Sequence, residues 1–281
     1  MKFGIDLARC HPSLWLELAQ VSDELGFESL WVAEHVIFPE KIRGSPAESG
    51  HVDVDPSLPL FDPFVILAAL GAKTEVIRLG TNVFNIGLRH PFVSARAVAT
   101  ADILSNGRIE FGVGVGWLRQ EWDAIELDFA SRGARVNEAI DICRSLWSDE
   151  IISHTGKFFN FESVVFNPKP AQQRIPIHIG GDSIHALRRV ARRGDGWIGM
   201  IQTPETFMAA VHQLERECGV IGRHISEIDR TAIIKYPTLP AIKDWERAGA
   251  TRLIVSPWAK SSRAIEAVRS FAAMIGKGQQ L

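Results

Sequence analysis

The fold class of this chain follows from the stretch Ile175-Pro176-Ile177-His178-Ile179-Gly180-Gly181-Asp182-Ser183. Its apolar run predicts a buried strand, and its glycine pair predicts a tight turn. Asp182 or Ser183 is suited to cap a helix that runs from there to Arg193. A strand that passes directly into a helix is the repeating unit of a parallel sheet with helical crossovers.

The same pattern extends along the whole chain. Helical periodicity separates every neighbouring pair of β-like runs except the last two, and residues 149–170 predict an inserted β-hairpin. This number of βα units predicts an α/β fold, a closed (β/α)8 TIM barrel that forms a single domain over residues 1–281. The β-like runs are 2–7, 29–33, 77–83, 108–113, 175–179, 196–200, 230–235 and 252–256.

A second irregular segment, residues 36–61, follows the second predicted strand directly. Its prolines and glycines exclude a regular helix, and a barrel places such a loop on the catalytic face. We expect it to form a substrate-facing lid, with a surface or dimer-contact loop as the alternative. The lid would expose the apolar side chains of Phe38, Leu58, Leu60 and Phe61 to substrate.

Composition excludes several functional classes. With 281 residues, 46% of them hydrophobic and 23% charged, the chain is typical of globular proteins and not of disordered ones. A formal net charge of −2 provides no field for nucleic acid or an anionic membrane. No apolar stretch reaches the roughly 20 residues needed to cross a bilayer. The cysteines, three in number and without CxxC spacing, indicate a reducing compartment, so we expect a cytoplasmic protein.

Alternate glycines at Gly112, Gly114 and Gly116 end the fourth predicted strand. A dinucleotide fingerprint requires a third glycine where this chain has Trp117, which argues against a Rossmann site. Two interpretations remain for the glycines. Small residues let a crowded barrel strand approach its neighbours, or they let the backbone approach a flat ligand.

The Gly180-Gly181 turn is a candidate anion site. Amide N–H groups and the positive end of a helix dipole meet there, which suits a phosphate, although a plain βα turn has the same pattern. The following helix carries four arginines towards its C-terminal half, which we interpret as a solvated face. They are Arg188, Arg189, Arg192 and Arg193.

His35 is the candidate proton-transfer residue. It follows the second predicted strand, where a barrel presents catalytic groups, and imidazole is suited to proton transfer near neutral pH. The other histidines show no metal-ligand spacing, so we expect no metal site. Glu34 and His35 alternate in direction, which argues against a metal shared between them. His178, between two isoleucines, is interpreted as a barrel-packing residue.

The order and spacing of several segments resemble one family over nearly the whole chain. They are 29–35, 78–83 with 88–91, 105–108 leading into 112–117, 156–159, 167–170 before the glycine pair, and 194–197. The chain resembles the bacterial luciferase-like flavin and deazaflavin oxidoreductases, and the branch that uses coenzyme F420 more than the others. The resemblance implies a TIM barrel with a phosphate-bearing flavin or deazaflavin at the C-terminal ends of its strands.

The resemblance also implies roles for individual residues. The barrel histidine of the family corresponds to His35 and its acidic neighbour to Glu34, and the resemblance implies catalytic roles for both. A bulge behind the cofactor ring, often with a non-proline cis peptide, corresponds to Asn82-Val83. Sugar-phosphate dehydrogenases of the family carry an acid where this chain has Trp117, so that chemistry is in question. The implied cofactor-binding residues are Asn82, Val83, Asn85, Val115, Gly116, Gln120, Ile179, Gly180, Gly181, Asp182 and Ser183.

The family contains enzymes that use FMN, which activates oxygen, and enzymes that use F420, which transfers hydride. We predict an F420-dependent oxidoreductase that acts on a small organic substrate. The alternatives are an FMN monooxygenase supplied with reduced flavin by a separate reductase, and a non-catalytic flavin-binding protein. A homodimer is expected, without nucleic-acid or membrane partners.

Overall fold

A closed parallel barrel forms the centre of the protein. The computed structural model describes residues 1–42, 59–200 and 203–276, and the barrel strands follow the order β1-β10-β9-β8-β7-β4-β3-β2. Each of the eight β-like runs overlaps one of these strands, which confirms the (β/α)8 barrel. The strands are β1 (Lys2–Asp6), β2 (Ser29–Val32), β3 (Arg78–Thr81), β4 (Ile109–Val113), β7 (Ile177–Gly180), β8 (Gly196–Ile198), β9 (Asp229–Lys235) and β10 (Arg252–Ser256).

Helices cover the outside of the barrel and bury a continuous apolar layer against it, with Leu18, Phe64, Val98 and Ile140 among its members. None of the helices in the described ranges is long and apolar enough to cross a membrane. The α-helices are α1 (Trp15–Glu24), α2 (Pro63–Gly71), α3 (Pro91–Leu104), α4 (Arg119–Ala124), α5 (Arg132–Ser148), α6 (Ile184–Arg193), α7 (Pro204–Gly219), α8 (Leu239–Arg247) and α9 (Ala264–Met274).

Helix α8 corrects the expectation that no helix separates the last two strands. The Thr238 side chain accepts a hydrogen bond from the Ala241 N–H and thereby caps this helix. Ile242 and Trp245 are buried one turn apart, so α8 packs through a narrow apolar face. A helix this short shows too few periodic positions to stand out in the sequence.

The predicted hairpin is confirmed. Strands β5 (Ile151–Thr155) and β6 (Asn160–Val165) pair antiparallel in a sheet of their own. The carboxylate of Glu138, on α5, accepts the backbone N–H of Phe159 at 2.9 Å and also that of Phe158. The Phe159 ring, next to the turn of the hairpin, meets the His90 ring edge-on at 5.3 Å beside the start of α3.

Trp31 fills the inside of the barrel. Its ring is fully buried and packs with Ile198 and Ile254. A Cβ atom at Gly80 would come within 2.5 Å of this ring, so only glycine leaves room for the indole there. The indole N–H donates to the Ser29 Oγ at 2.7 Å, so the buried polar atom is satisfied.

Buried charges close the N-terminal end of the barrel below Trp31. Arg252, 1% exposed, pairs with Glu28 at 2.7 Å and with Asp229 at 3.2 Å. Glu110 pairs with Arg78 and with His178. The ring of His178 also meets Trp31 edge-on at 5.6 Å, in agreement with a packing role for this histidine. Residues at this end of a TIM barrel serve stability.

We expect Glu110→Gln to lower the free energy of unfolding by about 2 kcal/mol near neutral pH, because it leaves buried cations without their partner. Burial raises the pKa of the Glu110 carboxyl, but the charges of His178, Arg252 and Arg78 outweigh it and hold that pKa well below its ordinary value of 4.5. A lowered folded-state pKa stabilises the fold above pH 4.5, and this contribution is lost as the pH falls below that value.

The measurement is thermal unfolding of both proteins at about pH 7 and about pH 3.5, where the difference in Tm should shrink. Glu162→Gln, on the exposed surface of the hairpin, is the matched control. Its Tm should equal that of the wild type at both pH values. A Tm difference that stays constant across this range would contradict the assignment.

Candidate active site

A cavity of about 1000 Å³ opens at the C-terminal ends of the barrel strands. Segments that follow β1, β2, β3, β4, β7 and β8 contribute to its wall. Small-molecule sites commonly occupy roughly 300–1,000 Å³, so this volume suits a large ligand or two smaller ones. The position is the one at which TIM barrels carry their active sites.

Most of the residues predicted for the site meet in this cavity. Two do not line it. The Ile179 side chain is fully buried in the apolar layer outside the barrel, so only its backbone faces the strand end. The Gln120 side chain donates to the Lys41 carbonyl oxygen at 2.9 Å and holds the segment after β2 against α4. The predicted residues that do line the cavity are Glu34, His35, Asn82, Val83, Asn85, Val115, Gly116, Gly180, Gly181, Asp182 and Ser183.

The glycine turn after β7 forms one wall. Gly181 has φ +120°, a left-handed conformation that side chains rarely adopt. Ser183 caps α6 by accepting from the Ala186 N–H at 3.2 Å, whereas the Asp182 carboxylate accepts from the Met200 N–H at 3.1 Å. The turn therefore brings the start of α6 to the cavity, where the helix dipole favours an anion such as phosphate.

The segment after β3 borders this turn, because an added Cβ at Gly180 would come within 2.8 Å of Val83. Its Asn82-Val83 peptide is cis. The Asn82 N–H donates to the Val32 carbonyl oxygen at 2.7 Å. The Asn82 Oδ1 is buried and has no hydrogen-bond partner among the described residues, although Asn82 lines the cavity. Such an acceptor is suited to an N–H or O–H group of a ligand. The residues here fit the edge of a flavin or deazaflavin ring.

The glycines at the end of β4 have the packing function considered for them. A Cβ at Gly112 would come within 1.7 Å of the Thr81 carbonyl oxygen, and one at Gly114 within 2.5 Å of Val83. Close packing of β3 and β4 thus requires both glycines. Gly114 and Gly116 also line the cavity, where their backbone is accessible to a flat ligand.

His35 lies at the centre of a small hydrogen-bonded cluster. Its Nδ1 is 3.1 Å from the Oε2 of Glu121, a fully buried residue of α4. The other oxygen of Glu121 accepts the Val36 N–H at 2.5 Å. The His35 ring packs on Phe38 at 4.5 Å and meets Trp117 edge-on at 5.7 Å. A carboxylate at Nδ1 holds the tautomer in which Nε2 is the nitrogen that exchanges a proton with a ligand.

Glu34 has a different environment. One oxygen accepts from the Arg89 Nη2 at 2.7 Å, and the other accepts the Asn85 N–H at 2.9 Å. Glu34 is 3% exposed. Because both oxygens are occupied, its carboxylate positions the segment after β3 against the end of β2.

Glu121 is the functional residue that sequence reasoning missed. It stands 86 positions from His35, and nothing in its local sequence indicates a partner. The only available signal was an acidic residue next to the apolar Trp122. The described residues contain no cluster of histidine, cysteine and acidic side chains that could hold a metal ion.

Glu121→Gln should lower turnover roughly 10- to 100-fold while cofactor affinity changes little, because the amide NH₂ favours the other tautomer of His35. Nitrogen NMR of the His35 imidazole reports the tautomer directly. Asp123→Asn, on the exposed side of the same helix, is the control. Unchanged tautomer and turnover in Glu121→Gln would show that Glu121 only supports the fold.

The other end of the cavity is apolar and aromatic. The Trp15 and Phe61 rings meet edge-on at 5.5 Å, and the Trp15 N–H is satisfied by the Cys10 carbonyl oxygen at 2.9 Å. Burial raises the pKa of the Cys10 thiol to about 11, so this group is neutral. Of the predicted lid residues, Phe38, Leu60 and Phe61 line the cavity. Leu58 lies in the segment 43–58, which is outside the described residues.

Comparison with known proteins gives three informative matches. An F420-dependent glucose-6-phosphate dehydrogenase of Kineococcus radiotolerans is 31% identical over 234 residues, which cover 80% of this chain and 64% of that protein. The structure of an F420-dependent secondary alcohol dehydrogenase in complex with an F420-acetone adduct aligns with a TM-score of 0.80 at 16% identity and 98% coverage of both chains. Monooxygenase RslO1 from Streptomyces bottropensis aligns with a TM-score of 0.78 at 22% identity, again with 98% coverage of both.

The family model of the luciferase-like monooxygenases matches residues 10–237, which include β2, β3, β4 and β7 with the segments that line the cavity. The barrel and the site at its C-terminal end agree with this match. The chain belongs to the luciferase-like monooxygenase family.

Proposed function

We propose that this protein is a coenzyme F420-dependent oxidoreductase that transfers hydride to or from a small organic substrate. The observation that carries the proposal is the His35–Glu121 pair, because His35 lines the same cavity as the Asn82-Val83 peptide and the glycine turn. F420-dependent enzymes among the relatives and structural neighbours support the choice of cofactor.

Each part of the cavity has a role in this proposal. The start of α6 with Gly181 and Ser183 holds the phosphate, and Asn82 with Val83 contacts the ring. When bound, the deazaflavin supplies the hydride acceptor or donor. His35 donates a proton from Nε2 to the oxygen atom of a carbonyl substrate, or accepts one at Nε2 from the hydroxyl group of an alcohol substrate. Glu121 keeps the imidazole in the required orientation, and the aromatic end of the cavity excludes water.

The aromatic end also favours an uncharged substrate with an apolar body. Trp15 and Phe61 present carbon surfaces, and Trp117 stands next to His35. A secondary alcohol or a ketone fits these surfaces better than a sugar phosphate does. The substrate of the Kineococcus relative is therefore not the one we propose for this chain.

An FMN-dependent monooxygenase is the second candidate, and the similarity to the Streptomyces monooxygenase favours it. It would obtain reduced flavin from a separate reductase. A flavin-binding protein without catalytic activity on the same fold is a third candidate. We further propose that the protein forms a homodimer and acts in the cytoplasm, a reducing compartment in which Cys10, Cys143 and Cys218 remain thiols.

Titration with F420 and with FMN, each followed by turnover assays, distinguishes these functions. The proposal expects the protein to bind F420 more tightly than FMN. Without oxygen, alcohols should reduce the bound oxidised cofactor, or ketones should oxidise the bound reduced cofactor. Preference for FMN with oxygen consumption would support the monooxygenase. Cofactor binding without turnover on any substrate of the panel would support the carrier.

A further inference from the structure

Two arginines share one phenylalanine ring at the edge of the cavity. The guanidinium carbon of Arg132 lies 3.9 Å from the centre of the Phe129 ring, and that of Arg119 lies 4.5 Å from it. The Arg132 Nη1 also donates to the Phe129 carbonyl oxygen at 2.9 Å, which fixes the side chain. Phe129 and Arg132 both line the cavity. We call Arg119, Phe129 and Arg132 the arginine rim.

The positive charge of the arginine rim is not balanced. No ion pair to Arg119 or Arg132 occurs within the described part of the chain, and the buried Nε of Arg132 has no hydrogen-bond partner there. Burial and the neighbouring charge of Arg119 lower the pKa of Arg132. The carboxylate of Asp128 accepts the Ala130 N–H instead of pairing with a guanidinium.

A third arginine adds to this charge and corrects the expectation of a solvated face at one position of α6, whereas Arg188 and Arg192 are exposed as predicted. Arg189 is buried, not solvated, and its Nη2 donates to the Gly133 carbonyl oxygen at 3.2 Å. Its Nε donates to the neutral Asn137 side chain at 2.6 Å. Burial, Arg193 and Arg132 lower the pKa of Arg189 to about 10. Arg189 thus joins the first turn of α5 to α6, the helix that begins at the phosphate turn.

We propose that the arginine rim binds the carboxylate tail of the deazaflavin cofactor. This inference rests on the proposed function. FMN ends at its phosphate, whereas F420 continues beyond the phosphate into a lactyl and glutamyl chain that carries carboxylates. Arg132 belongs to the same cavity as the phosphate turn, and Arg189 connects the two helices that bear them. A planar guanidinium held by Phe129 binds a carboxylate with two hydrogen bonds, which an ammonium group does not.

The test compares Arg132→Met and Arg132→Lys with the wild type in fluorescence titrations. The ligands are F420 with several glutamates, the same deazaflavin truncated at its phosphate so that it has no lactyl or glutamyl carboxylate, and FMN. Arg188→Met is the control, because Arg188 is exposed on α6 and pairs with Glu217 of α7. Arg132→Met should weaken binding of glutamylated F420 about tenfold, with a smaller loss in Arg132→Lys. Affinity for the two ligands without glutamates should change less than about twofold, and the salt dependence of F420 binding should decrease.

Equal losses for glutamylated F420 and for the deazaflavin that ends at its phosphate would overturn the inference, because Arg132 would then act on the phosphate or the ring. Unchanged affinity of Arg132→Met for every ligand would overturn it as well. Either result leaves the proposed function intact, since the wild type still binds F420. A wild-type protein that binds FMN and no form of F420 would instead defeat the proposed function.

Discussion

His35→Ala should lower turnover by roughly 10²- to 10⁴-fold, the usual contribution of a positioned general acid or base. The imidazole is the side chain that the structure holds between a buried carboxylate and the cavity. Removing it should take away the proposed proton transfer at the substrate oxygen, while the Gly180-Gly181 turn and the Asn82-Val83 peptide stay in place. Steady-state kinetics together with cofactor titration measures both effects.

His212→Ala is the control, because His212 is exposed on α7 and distant in the fold from the strand ends. It should retain wild-type kinetics. If cofactor affinity of His35→Ala collapses together with turnover, His35 is a contact of the cofactor and the proton comes from another group. Turnover within a few fold of the wild type would remove His35 from the mechanism.

Gly181→Val should weaken cofactor binding at least about 100-fold, because a branched side chain at this backbone position blocks the anion site beside α6. The residue has φ +120°, and an added Cβ would stand 3.2 Å from the Ala186 Cβ. The substitution therefore shifts the turn that presents the first N–H groups of α6. Titration with F420 and with FMN measures the loss, which should occur for both cofactors because both carry a phosphate.

Gly222→Val controls for backbone strain. Gly222 has φ +70° in an exposed loop, and nothing lies within 4 Å of its added Cβ. It should lose stability without losing cofactor affinity. If folded Gly181→Val binds both cofactors as tightly as the wild type, the phosphate does not lie on this turn.

The barrel could be predicted from the sequence because its strands are short, mostly apolar runs that are followed by a turn or a helix cap. The periodicity of neighbouring side chains is a local property, so it predicts β2, β7 and the inserted hairpin equally well. Helix α8 was not predicted, because its only buried residues are Ile242 and Trp245 and these two positions give a weak helical pattern. Its existence depends on packing against the barrel more than on its own pattern.

The site was predictable where residues follow a strand and unpredictable where residues pair across the barrel. His35 and the Gly180-Gly181 turn stand at strand ends, which the topology brings together. Glu121 and Arg189 contact partners that are distant in sequence, so the burial of their charged groups could not be predicted from the residues around them. Burial of a polar group depends on partners that only the folded chain supplies.

The central claim is that this protein moves hydride between F420 and a substrate carbon, and one isotope measurement tests it directly. Reduced F420 that carries deuterium at its transferable position is mixed with the enzyme and a panel of ketones, in parallel reactions with and without oxygen. Mass spectrometry then follows the alcohol formed. The account predicts one deuterium on the former carbonyl carbon and the same yield without oxygen. Product that forms only with oxygen, contains an oxygen atom from O₂ and lacks deuterium would contradict it.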